Sequence, residues 1–334
     1  MVNMRDVNKI PQEDLNKTLL WLDNYLFLIN DSNRELDQHY NPDYENHFDA
    51  KAFKDNYHFK KDLLSKYNID YHFFVVPDKS VVCRDLLPFE HDFLKRNIDE
   101  VDEIIDFTDY LTKEDYFKSD SHISYEGGRK LSYKIMNYLD NDFTLDQYNE
   151  LLDNADKVDK NRFYDLLVDM NWSYSQEFKK EFSTEDTYVI PRAKDLKLIK
   201  NAPKPFQAFG SRKSVYYKNK NSVSDLRVLL FGDSSFKLFQ PYLPFYFNEF
   251  FFYWDHGSFN ANLIRWYQPD LIIELRTERF IDKLPSPAWI KNKQVINLSK
   301  ERYMKKLINR NQELKDELEE IKSSKIYKLF SRFI

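Results

Sequence analysis

A serine becomes a useful nucleophile only when a base can take its proton and a carboxylate can hold that base in one tautomer. The sequence presents one serine well for this: Val228-Leu229-Leu230-Phe231-Gly232-Asp233-Ser234-Ser235-Phe236, an apolar run that ends in Gly-Asp-Ser. Where a parallel strand gives way to a helix, such a serine stands at the carboxyl edge of the sheet, the edge at which open α/β folds bind ligands. Its own N–H can then help to hold an oxyanion. The same residues could instead cap the following helix, a common role for Asp and Ser, and the motif alone does not choose between the two.

Seven histidines are available as the base. His39, His47, His58 and His91 fall in polar stretches read as exposed, and His72 sits in an apolar run where a structural histidine is expected. His122 and His256 remain. His122 is favoured because Asp120 in Asp120-Ser121-His122 supplies a carboxylate that can orient the imidazole, and Gly127 and Gly128 follow closely. Lys79 and Arg84, just past the first strand, are candidate substrate contacts, and Asn260 and Asn262 are candidate oxyanion or substrate contacts. Asp233 reads as a turn-holding side chain, and Glu274, Glu278 and Arg279 as an ion-paired brace.

Several chemistries are excluded. Only five glycines occur, at 127, 128, 210, 232 and 257, and neither a dinucleotide-binding nor a P-loop motif can be drawn from them. A single cysteine, Cys83, allows no internal disulfide and no thiolate metal site, and no metal is expected. The 50 basic residues against 55 acidic ones leave a net charge of −5, which points away from nucleic acid. Met1 to Leu15 lacks the apolar run of a signal peptide, and no stretch reaches the 18 or so apolar residues of a membrane span. The expectation is a cytoplasmic chain.

The elements that must position these residues follow an α/β rhythm. Apolar runs at 71–76, 228–231, 270–274 and 294–297, with a shorter one at 104–107, read as buried parallel strands between helices. Leu15, Leu19, Leu22, Leu26 and Ile29 have helical spacing, and 30–49 reads as an exposed polar loop. A second amphipathic helix is expected over 53–67. From about 140 to 225 the pattern loosens, as in an inserted segment or cap. Met304, Leu307, Asn311, Leu314, Leu318 and Ile321 form a heptad seam over 304–321, suited to a homodimeric coiled coil or to a helix docked on its own domain. The basic amphipathic end, 325–334, could lie on an anionic membrane face. The fold class expected is α/β, a mostly parallel sheet flanked by helices over 1–299, followed by a helical tail over 300–334.

An Asp-x-His element upstream of a Gly-Asp-Ser element resembles the alginate O-acetyltransferase family, whose domain is similar to SGNH hydrolases with the motif order permuted. Tyr25-Leu26-Phe27-Leu28 is similar to the family's opening W-L-F motif, and Val75-Val76-Pro77-Asp78-Lys79 to its V-P-x-K strand end. Tyr116 to Gly128 is similar to Y-x-x-x-D-x-H-W-x-x-x-G, with Ile123 in place of the tryptophan. Gln268-Pro269-Asp270-Leu271-Ile272-Ile273-Glu274 with Glu278-Arg279 is similar to the terminal P-D-x-x-I-x-E…E-R signature. The resemblance implies an SGNH-like fold and a covalent acetyl-serine on Ser234, with His122 as base and Asp120 as its orienting acid. It further implies an acceptor hydroxyl on a bacterial surface polysaccharide or glycan precursor. No tightly bound cofactor is expected; the acetyl group could come from acetyl-CoA or from an acetylated membrane acyltransferase partner. An acetyl esterase using water, and a non-catalytic glycan-assembly protein that binds polysaccharide, are the rival expectations.

Overall fold

Three of the apolar runs lie side by side at the centre of one sheet. The computed structural model describes residues 19–22, 25–28, 33–45, 47–87, 94–161, 165–168, 187–192, 196–199, 214–254, 259–283 and 315. In chain order its strands are β1 (Leu19–Leu22), β2 (Tyr25–Leu28), β3 (Asp70–Val76), β4 (Ile104–Asp106), β5 (Asp156–Asn161) and β6 (Thr187–Arg192). They continue with β7 (Leu196–Ile199), β8 (Val215–Asn219), β9 (Ser224–Gly232), β10 (Phe247–Trp254) and β11 (Leu271–Thr277). The main sheet has seven strands in the order β4-β3-β11-β9-β10-β8-β7. The five from β4 to β10 are parallel, and β8 and β7 extend the β10 edge antiparallel.

The central runs are continuously apolar because both faces of the sheet are covered, and successive side chains point to opposite faces. Val228, Leu230, Phe250, Phe252, Ile273 and Leu275 join one core with Leu131, Ile135 and Met136 of the helix Tyr125–Leu139. Leu229, Phe231, Phe251, Tyr253 and Ile272 join the other. There they meet Phe53, Tyr57 and Leu64 of the helix Ala50–Ser65 and Leu263 and Tyr267 of the helix Ala261–Tyr267. Each such side chain removed from water contributes about 1.5–3 kcal/mol, so the two cores are what hold the sheet edge rigid.

Two expectations are corrected. The 15–29 spacing does not produce a helix over its described part: β1 and β2 pair antiparallel, from Leu19 opposite Leu28 to Leu22 opposite Tyr25. The leucines fall in two apolar quartets, LLWL and YLFL, which pair as strands, and β2 is buried throughout. The polar stretch after it is not all loop. It holds the helix Glu35–Tyr40, in which Glu35, Gln38 and His39 are buried because each has a polar partner. The aromatic segment 247–254 is a central strand. The stretch from about 140 to 225 adds the helix Leu145–Asp153, the β5–β6 hairpin, a helical turn at Asp165–Val168, and β7 and β8. The run at 294–297, His91, His256 and, apart from residue 315, the tail at 300–334 with its 304–321 seam lie outside the described residues. Among the described residues no helix is long and apolar enough to cross a membrane.

Candidate active site

Ser234 stands just beyond the carboxyl end of β9, between Gly232-Asp233 and the helix Phe236–Phe239. Asp233 is buried and makes the turn: its Oδ1 accepts from the Ser235 N–H at 2.9 Å and its Oδ2 from the Thr277 N–H at 2.8 Å. The end of β9 is thereby tied to the end of β11, its neighbour in the sheet. Phe236 stacks on Phe252 with ring centroids 3.8 Å apart, which anchors the helix that follows.

Asp120 and His122 lie on a tight loop between Tyr116 and Ile123, which pair across it. The Phe117 N–H donates to the His122 carbonyl at 3.3 Å, and the Ser124 N–H to the Asp115 carbonyl at 2.7 Å. Ser124 then caps the helix Tyr125–Leu139, its side chain accepting from the Gly127 N–H. A Cβ at Gly128 would overlap the carbonyl oxygen of Leu238, in the short helix after Ser234. A Cβ at Gly127 would overlap the Asp115 carbonyl and Ile123. Two of the rare glycines therefore permit the close backbone approach that brings base loop and serine turn together.

The two motifs, 112 residues apart, meet: His122 Nε2 lies 3.0 Å from Ser234 Oγ. On the other side of the ring, Nδ1 lies 2.7 Å from Asp120 Oδ1. An ionised carboxylate only accepts, so Nδ1 carries hydrogen, and in the neutral ring Nε2 is left to accept from the serine hydroxyl. Asp120 is fully buried, and its Oδ1 also accepts from the His122 N–H at 2.9 Å. Burial pulls the His122 pKa down, but the Asp120 charge and hydrogen bond, followed by those of Asp165, outweigh it and raise it to about 9. This arrangement can deprotonate a hydroxyl and stabilise the resulting imidazolium.

Lys79 does not face outward. It is 2% exposed, and its ammonium donates to the carbonyls of Leu26, Phe117, Lys118 and Asp120 at 2.7, 2.6, 2.9 and 3.2 Å. This ties β2 to the loop of Asp120 and His122, so the expectation of a substrate-contacting Lys79 gives way to an internal fastening of the site. Burial lowers its pKa to about 8. Arg84 is half-buried in the single turn Arg84–Leu86. Asn260 caps the helix Ala261–Tyr267, its Oδ1 accepting from the Leu263 N–H at 3.0 Å, and Asn262 is half-buried in that helix's first turn.

Beneath this edge, Glu278 takes a fork of two bonds from Arg96, at 2.9 and 2.7 Å. Arg279 pairs with Asp78 and with Glu35, the latter at 3.2 Å, and His39 Nε2 lies 3.2 Å from Asp78. Glu274 pairs with Lys60 and accepts from the Tyr71 hydroxyl at 2.8 Å. All are buried and ion-paired, the geometry of a brace. His39, read as exposed, is held inside by these partners, which outweigh burial and raise its pKa to about 9.

Sequence reasoning missed Asp165. It comes from the loosely patterned stretch, and no local signal marks it. Its Oδ2 lies 3.3 Å from His122 Nδ1. Asp120, His122 and Asp165 stand close enough to share a cation. Their carboxylate oxygens, however, already accept from the N–H groups of Ser121, His122 and Asp165 and from the Ser121 hydroxyl, which describes a hydrogen-bonded cage.

No protein-family model and no curated relative matches the sequence. Among solved structures, the chain is similar to Bacillus cereus PatB1 with a sulfonyl adduct. The identity is 14% and the TM-score 0.54, over 80% of this chain and 96% of that one. A second structure of Bacillus cereus PatB1 matches at 13% identity and TM-score 0.50, covering 80% and 97%. The O-acetyltransferase domain of Pseudomonas putida AlgJ matches at 12% identity and TM-score 0.44, covering 85% and 99%. At such identities the likeness to PatB1 is one of fold, a mostly parallel sheet flanked by helices as the strand pattern of the sequence predicts.

Proposed function

We propose that this chain is a serine O-acetyltransferase that places acetyl groups on a hydroxyl of a bacterial cell-surface polysaccharide or its precursor. The observation that carries the reading is the unbroken contact from Ser234 Oγ through His122 to Asp120, at 3.0 and 2.7 Å. Its fold likeness to PatB1, a protein seen with a sulfonyl adduct, supports it, as do the ordered motifs.

In the proposed sequence, Ser234 Oγ attacks the acetyl carbonyl of the donor while His122 Nε2 takes the hydroxyl proton. The tetrahedral oxyanion collapses, the bond to the donor breaks, and the leaving group takes the proton back from His122. Acetyl-Ser234 remains. A sugar hydroxyl then gives its proton to Nε2 and attacks the same carbon; the second collapse breaks the Ser234 ester, and Oγ recovers the proton. Asp120 keeps Nδ1 protonated and offsets the imidazolium charge in both halves. Acetyl-CoA or an acetylated membrane partner serves as donor.

Intact-protein mass spectrometry after a fluorophosphonate probe tests the first half. One adduct is expected on the wild type, none on Ser234→Ala, and at least a hundredfold slower labelling on His122→Ala. A folded wild type without adduct would leave the binding protein as the reading. Labelled acetyl donor supplied with glycan tests the second half: label on the glycan marks a transferase, and label only in free acetate marks an esterase.

A further inference from the structure

Asp165 is the charged group at the site for which the three-residue relay has no use. It opens the helical turn Asp165–Val168, supplied by the stretch between the helix Leu145–Asp153 and β6. Ser121, the residue between Asp120 and His122, grips it twice. Asp165 Oδ1 accepts from the Ser121 N–H at 2.7 Å, and Oδ2 accepts from the Ser121 hydroxyl at 2.6 Å. That grip sets Oδ2 at 3.3 Å from His122 Nδ1, while the Asp165 N–H reaches Asp120 Oδ2 at 3.3 Å. A carboxylate needed only to start a helical turn would have no reason to face an imidazole already served by Asp120.

We propose that Asp165 is a positioning residue for His122, a second carboxylate that shares the Nδ1 hydrogen with Asp120 and steadies the imidazolium formed when Ser234 loses its proton. The inference rests on the serine acyl-transfer reading above. It makes the loosely patterned stretch a contributor to the chemistry, since that stretch delivers the carboxylate. The charged groups facing His122 are then Asp120 and Asp165, and the other charge acting on both carboxylates is the Lys79 ammonium. Because the Asp165 side chain is 37% exposed, its effect belongs at the low end of what a carboxylate at this distance exerts, about one pH unit on the imidazole.

The test is a histidine-selective NMR titration of the full chain, with His122 assigned by its loss in His122→Ala. Asp165→Asn is expected to lower the His122 pKa by about one unit and Asp165→Glu to restore most of it. Ser121→Ala, which keeps the charge but loosens the grip, should give a smaller shift in the same direction. In the same variants, the acid limb of Ser234 phosphonylation should move to lower pH with the imidazole, while the plateau slows about tenfold in Asp165→Asn. An unmoved His122 pKa in Asp165→Asn overturns the proposal. Should that variant not fold, an unmoved pKa in Ser121→Ala does so. A wild type without any Ser234 adduct refutes acyl transfer instead, and the titration still reports on Asp165.

Discussion

Replacing Lys79 with methionine is the sharpest probe of how the site is held. Met keeps an unbranched apolar stem but donates nothing to the carbonyls of Leu26, Phe117, Lys118 and Asp120 that the ammonium now satisfies. An ammonium has three hydrogens to share among these four carbonyls, and a buried acceptor stripped of its donor costs about 1–3 kcal/mol, so three lost hydrogen bonds amount to roughly 3–9 kcal/mol. Part of this is offset, because burial holds the Lys79 pKa at about 8 against an ordinary 10.5, and removing a charge so disfavoured returns roughly 3 kcal/mol. A net loss of about 3 kcal/mol is expected, or a fall of roughly 4 °C in the melting midpoint of a chain this long. Three of the four carbonyls belong to the loop of His122, so Ser234 labelling should also slow by about a hundredfold, the usual effect of misplacing a reacting group by an ångström. Thermal denaturation with fluorophosphonate labelling of the same samples is the assay. A variant that melts where the wild type does and labels as fast would refute the claim that this ammonium fastens the loop.

Three further outcomes are expected. Only neutral His122 can accept the Ser234 proton, so the labelling rate should climb about tenfold per pH unit towards the imidazole pKa near 9 and then level; a flat profile from pH 6 to 9 would contradict it. The same raised pKa means that the imidazolium stabilises the fold fully below the unfolded value of 6.5, and this contribution disappears as pH rises through 9. Gly128→Ala should cost about 2 kcal/mol in a urea titration and slow Ser234 labelling, because its Cβ would collide with the Leu238 backbone. An unchanged unfolding midpoint would show that the two helices can part without penalty.

What the sequence reveals and conceals here follows from where polarity sits. β3, β9 and β11 are legible because a strand covered on both faces presents a nearly unbroken apolar run, and Ser234 and His122 are legible through the order of the motifs that carry them rather than through either motif alone. β10 is harder to read: Asn248 and Glu249 interrupt its start, and Glu249 is accommodated by Lys218 and the Tyr216 hydroxyl, partners distant in sequence. The helix Glu35–Tyr40 is hidden for the same reason, since hydropathy cannot foresee that Glu35 will meet Ser80 and Arg279. Periodicity misleads at β1 and β2, where a three-to-four spacing of leucines arises from two adjacent strands. Asp165 owes its role wholly to tertiary contacts, so its local context carries nothing that distinguishes it from a solvated charge, and Lys79, although it closes the motif from Val75, turns inward only through carbonyls distant in sequence.

The order of strands also bears on how the protein comes into being at the ribosome. Among the described residues, β3 pairs with β4 and β11, and β9 with β10 and β11. Until 271–277 have been synthesised, the nascent chain holds two separate half-sheets, one bearing the end of β3 beneath the His122 loop and the other the Ser234 turn. β11 is the keystone that joins them, and it carries Thr277, whose N–H receives Asp233, directly to the serine turn. A polypeptide released before this strand thus carries Ser234, His122 and Asp120 and still lacks the strand that joins their two half-sheets, so the contact from Ser234 to Asp120 is expected only in chains that extend through β11.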